Sequence, residues 1–328
     1  MRWIAGMLVV AIVAGGFAAR AEDPQPLVLE AKIPLGDVKG RIDHLAFDPG
    51  RKRLFVAELG NDSVGVVDVD AAKVVNRIAE LKEPQGVSYV PWTDTLYVAN
   101  AGDGSVRLYH GADFAPAGRI DLGDDADNVR VDVEHKRVYV GYGKGALAEI
   151  DPSSSKKTAD IPLKGHPEGF QIDLTAAQIF VNVPNARQVA VVDLTTRTQA
   201  SAVPTGTLRS NFPMAIDPQS QRVLVMFRSP PRLYSFAAKD GAAKEVEACG
   251  DSDDVFVDAK RRRVYVSCGE GFVDVFDARG TEYPRVGHIP TISGARTSFF
   301  VPELDRLFVA VRASGKEPAA VWVFRPTP

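Results

Sequence analysis

Cysteine is scarce in this chain: two among 328 residues, with five histidines, four methionines and three tryptophans. No CxxC or CxxCH spacing occurs, which removes thioredoxin-like redox and c-type haem attachment. A haem or copper centre would find few ligands here, so a redox role is the weakest of the functions considered. GxSxG and HExxH are missing as well, so neither a serine-hydrolase elbow nor a zinc-protease helix can be read. GYGKGA (141–146) has the glycines of a hairpin turn and lacks the strand-to-helix context of a dinucleotide loop. Neither sign of charge dominates, at a formal net of −3. That balance excludes a global pull toward nucleic acid. Linkers and charge blocks are absent too, which favours one domain over two.

The N-terminus reads as an export signal. MRWIAGMLVVAIVAGGFAARA has Arg2, an apolar run over residues 4–19 softened by Gly15 and Gly16, and small residues at Ala19 and Ala21. This predicts a cleavable signal peptide over residues 1–21 and a periplasmic or secreted mature chain from residue 22 to 328. The competing reading is an uncleaved membrane anchor. Cleavage removes Arg2 and Arg20 and no acid, so 39 basic residues against 42 acidic become 37 against 42, a net of about −5.

One phrase then fills the chain. TLYVANAGDGSVRLYHG (95–111) reads as strand, glycine-rich turn, strand. It recurs at 53–69, 137–151, 178–194, 222–236, 263–277 and 306–324. The anchors Phe55, Tyr97, Tyr139, Phe180, Leu224, Tyr265 and Phe308 are 42, 42, 41, 44, 41 and 43 residues apart. Such a period, with a short strand before each hairpin and a weaker one after it, predicts propeller blades of four antiparallel strands. The seventh hairpin ends at Phe324 with no outer strand to follow, while PLVLEAKIPLG (26–36) has no blade of its own. Pairing these two predicts an all-β, seven-bladed propeller closed by its N-terminal strand.

The aromatic-Val pair followed by Gly or Asn and a Ser/Arg-Val strand resembles the YVTN-type β-propeller repeat family of exported bacterial proteins, over essentially the whole mature chain. YVAN (97–100) is the closest copy; FVAE, YVGY, FVNV, YVSC and FVAV keep the aromatic-Val pair and lose Thr-Asn. The resemblance implies a packing signature and no particular reaction.

Function is therefore sought at the channel mouth. Aligning the repeats by their anchors places Asp43, Gln85, Asp127, Glu168, Phe212, Asp253 and Arg296 at one depth, just ahead of the inner strands. His44, Gly86, Asn128, Gly169, Pro213, Asp254 and Thr297 follow. The converging carboxylates of Asp43, Asp127, Glu168 and Asp253, with His44 and His166, require compensation by Arg41, Arg209 and Arg296 or by a bound cation. Salt bridges and water plugging a channel are one reading. The other is a mouth that binds a small ligand, a cation or a partner protein, with Asp43, His44, Asp127, Glu168 and Asp253 as donors suited to Ca²⁺, Mg²⁺ or an amine. A transition metal held by His44 with Asp43 and His166 with Glu168 lacks an HxH or HxxxH pair to support it. A metal-dependent hydrolase, lactonase or lyase would use the same carboxylates, with histidine as acid or base.

Cys249 and Cys268 both fall on the mouth face of the sixth blade, so an exported chain is expected to join them in a disulfide, tying down the loop of Asp251, Asp253 and Asp254; two buried thiols are the alternative. Basic turns (51–53, 135–137, 260–263, with Lys156, Lys157 and Arg197) predict a cationic opposite face, either solvated or docked on an anionic surface. No aromatics interleave with them, against a specific nucleic-acid site. A monomer is expected.

Overall fold

The computed structural model describes residues 25–237 and 242–328. The expected signal peptide lies outside the described residues. No helix among the described residues is long and apolar enough to cross a membrane.

Among the described residues, twenty-eight strands form seven four-stranded antiparallel sheets, six of them made of consecutive strands. The seventh takes Ser298–Val301, Arg306–Val311 and Ala320–Pro326 from the C-terminal end and completes itself with Leu27–Pro34. The pairing runs from Leu27 opposite Pro326 to Pro34 opposite Ala320. The predicted closure is therefore present, and Lys32 lies 3.9 Å from the Trp322 ring centre across it.

The core consists of seven apolar clusters, each filling the gap between two neighbouring blades. The repeating anchor explains this arrangement. Successive side chains of a strand point to opposite faces, and each anchor is turned toward the blade that follows. Phe55 packs against the second blade, Tyr97 against the third, and so on round to Phe308, which packs against the first. The anchors are essentially fully buried.

Five of the seven turns between first and second strands are built by aspartate. Asp48, Asp132, Asp173, Asp217 and Asp258 each accept hydrogen bonds from backbone N–H groups two or three residues on. A left-handed residue (Lys52, Lys136, Ala177, Gln221, Arg262) closes each turn. Several basic residues of these turns, and of the outer turns near them, are engaged by neighbours. Arg51 bridges Asp48 and Asp94, Lys52 pairs with Asp70, and Lys157 with Asp160. Arg197 pairs with Glu149, Arg261 with Asp258 and Asp305, and Arg263 donates to the Thr327 carbonyl. The cationic face expected from the sequence is thus partly neutralised by neighbouring acids.

Ile33 carries its side chain into the cluster between the seventh and first blades. Ile33→Ala is expected to cost about 2–5 kcal/mol in urea unfolding. A loss below about 1 kcal/mol would show that this strand does not hold the ring shut.

Candidate functional site

The inner strands converge on a central cavity of about 640 Å³. All seven residues of the predicted column line it, as do Arg41, His44, Asn128, His166 and Asp254. Four members do not stand ahead of their strands as expected. Gln85, Asp127, Phe212 and Asp253 lie within Pro84–Val90, Ala126–Asp132, Arg209–Asp217 and Ser252–Asp258. Each of these strands breaks register there. A bulge re-aims side chains and is common beside sites. Gly86 marks how closely the blades approach: a Cβ there would lie 2.1 Å from the Asp127 carbonyl oxygen.

Arg209 is not brought to the cavity. Its strand begins at Arg209 itself, and the guanidinium donates to the Gly206 and Leu208 carbonyls at 2.7 and 2.8 Å. Arg228 takes the role assigned to it. It reaches from the unusually long second strand Arg222–Ser229 to Asp253, 2.5 Å away, and lies 4.0 Å from the Phe212 ring centre. The sequence signal for it was a second strand running past its usual end toward the mouth.

One arc of the ring, from the fifth blade through the seventh to the first, is internally compensated. Asp43 meets Arg41 at 2.7 Å. Asp253 lies between Arg228 and Arg296, the latter at 2.8 Å. Both arginines also reach Asp251. His44 stands 3.4 Å from Asp254 and 3.8 Å from Asp43. Burial disfavours its imidazolium, but Asp254, Asp43 and Asp127 together raise it to about 10, so it is a cation at neutral pH. Burial pushes the Asp43 carboxyl up, against the pull of His44 and Arg41. The His44 imidazole and the Asp43 carboxyl therefore titrate as a coupled pair. Cys249 and Cys268 are joined in a disulfide, with Cα atoms 5.9 Å apart, holding the Asp251 loop against the sixth blade.

The arc made by the third and fourth blades differs. Asp127 is 5% exposed, and its Oδ1 has no hydrogen-bond partner. The neighbouring Asn128 Oδ1 is likewise buried and unpartnered. Among the described residues, the Glu168 carboxylate has neither a hydrogen bond nor an ion pair. His166 Nδ1 lies 2.6 Å from the Gly143 carbonyl oxygen, which can only accept, so Nδ1 holds the proton. Its Nε2 stands 4.0 Å from Asp127 Oδ2. Burial pushes Asp127 up to about 7, with Glu168 and Asp43 adding to the shift and His44 and His166 opposing it. Glu168 also rises to about 7, first through burial and then through Asp253.

Chemically, this arc offers the unpartnered acceptors Asp127 Oδ1 and Asn128 Oδ1. Among the described residues, no three acidic, histidine or cysteine side chains converge as a metal ion requires.

No family model matches the sequence, and no curated protein does. Among solved structures, the chain is similar to one titled Kuenenia stuttgartiensis hydrazine synthase. The identity is 16%, covering 93% of this chain and 99% of that one, with a TM-score of 0.74. It is also similar to a chain in a crystal structure of the mitotic checkpoint complex, at 14% identity, 98% coverage of each chain and a TM-score of 0.74. At these identities the likeness establishes the propeller fold alone.

The raised Asp127 carboxyl sets the sign of a stability effect. Its folded pKa exceeds the ordinary 3.8, so the folded state holds the extra proton and loses stability as pH rises from about 4 to about 7. Asp127→Asn is expected to stabilise the protein against urea at pH 8, on the order of a few kcal/mol, and to change little at pH 4. Equal destabilisation at both values would contradict the assignment.

Proposed function

We propose that this protein is an exported binding propeller whose mouth captures the ammonium group of a small organic ligand. The observation that carries this reading is the imbalance of the ring: the acids of one arc are ion-paired with arginines, while Asp127 is buried with its Oδ1 unpartnered and the half-buried Glu168 has neither hydrogen bond nor ion pair among the described residues. Buried carboxylates left unpaired are costly, and a bound cation removes that cost. Asp127 Oδ1, Asn128 Oδ1 and a Glu168 oxygen are three acceptors, matching the three N–H donors of a primary ammonium. Ca²⁺ takes six to eight oxygens, and three protein oxygens supply only part of such a shell. The disulfide and the apolar N-terminus support an oxidising, exported location, as does the resemblance to YVTN-type repeats.

Calorimetry with hexylammonium at pH 6, 7 and 8 tests the reading. Affinity is expected to rise about tenfold over that range as Asp127 and Glu168 ionise, with protons released on binding. Asp127→Asn and Glu168→Gln should each weaken it by about tenfold or more. Binding indifferent to pH and to both substitutions would overturn the reading, and so would tight Ca²⁺ binding that excludes the amine. Consumption of a lactone or ester, abolished by Asp127→Asn, would replace a binding protein with an enzyme.

A further inference from the structure

The same strand that supplies Asp127 supplies a charge of opposite sign, Arg130, that makes no ion pair and feels Asp254 and Asp127 only at longer range. Arg130 lies three residues further along Ala126–Asp132, roughly 10 Å by the rise of a strand, and lines the same cavity. The other arginines of the cavity, Arg41, Arg228 and Arg296, each have a carboxylate oxygen at 2.5–2.9 Å. Arg130 has none within ion-pair distance among the described residues. Its Nη1 donates to the Val129 carbonyl at 2.9 Å, and the guanidinium lies 5.6 Å from the Phe170 ring centre. The polar neighbours on that wall are engaged elsewhere: Ser88 donates to the Val129 carbonyl and Gln171 to the Met214 carbonyl. Phe47, Phe256 and Phe299 also line the cavity, the last two with ring centres 5.6 Å apart, and they give it an apolar side.

Resting on the ammonium reading above, we infer that the ligand is an aminocarboxylate with well-separated charged ends. Its ammonium sits on Asp127 and Glu168, its apolar chain runs past the phenylalanines, and its carboxylate reaches Arg130. A guanidinium with no carboxylate in ion-pair contact is matched to a ligand carboxylate by its planar fork of donors. The opposed charges at two depths also fix the direction of entry, carboxylate first. A bare amine gains at the mouth but is repelled from below by Arg130, whereas an aminocarboxylate satisfies both charges.

The test compares 6-aminohexanoate, hexylammonium and hexanoate by calorimetry at pH 8. In the wild type, 6-aminohexanoate is expected to bind about tenfold or more tightly than hexylammonium. Arg130→Gln should reverse the order, weakening 6-aminohexanoate by about tenfold or more while hexylammonium tightens a few-fold as the repulsion disappears. Arg130→Lys keeps the charge without the fork and should fall between the two; thermal melts of both variants establish that they fold. Hexylammonium binding as well as or better than 6-aminohexanoate in the wild type would overturn this inference and leave the amine reading standing. So would a preference for 6-aminohexanoate that survives Arg130→Gln in the folded protein. If neither amine binds, both readings fall together.

Discussion

The packing of each anchor side chain against the following blade is the constraint on which the rest of this structure depends. A single four-stranded sheet cannot bury its own faces, so each blade is stable only between two others. Seven anchors turned the same way make seven equivalent interfaces, and the last can form only if the chain's beginning meets its end. Phe308 meets the first blade there, with Ile33 and Val321 beside it. Once the ring is closed, the inner strands are forced together, and whatever residues stand at their mouth ends must share a small space. The charge concentration at the mouth is thus a consequence of interfaces formed elsewhere.

Much of this was legible in the sequence because it is periodic. The anchors give the blades, the missing outer strand gives the closure, and the column from Asp43 to Arg296 gives the lining of the mouth. What was not legible is aperiodic or lies between blades. Arg209 was expected to compensate the ring, but the fifth inner strand starts early and the guanidinium satisfies local carbonyls instead. Arg228 replaces it from a strand that runs past its usual end. The bulges that seat Gln85, Asp127, Phe212 and Asp253 leave no mark in hydrophobic patterning. The partners of the basic turns were hidden for a related reason: Arg51 finds Asp94 on the next blade, and a run of charge says nothing of partners elsewhere in the fold.

The fold supplies the channel but does not choose the chemistry, as propellers host many unrelated functions. Here the choice lies in how charge is distributed around the ring. Three arginines and one imidazolium pair with the acids of one arc, while Asp127, Asn128 and Glu168 make no hydrogen bond or ion pair with any of them, and further along the same strand Arg130 has no acid within ion-pair distance. Two unmatched charges of opposite sign, at two depths of one strand, describe a complementary ligand better than either does alone.

Asp127 and Glu168 have no arginine or lysine partner among the described residues and depend on a ligand cation to ionise fully. Carbon-detected NMR of the side-chain carboxyls, titrated from pH 4 to 9 with and without hexylammonium, measures this directly. The account predicts two carboxyls titrating near pH 7 in the free protein, whose midpoints fall when the amine is added. Two carboxyls titrating in the ordinary range near pH 4, and unmoved by the amine, would contradict it.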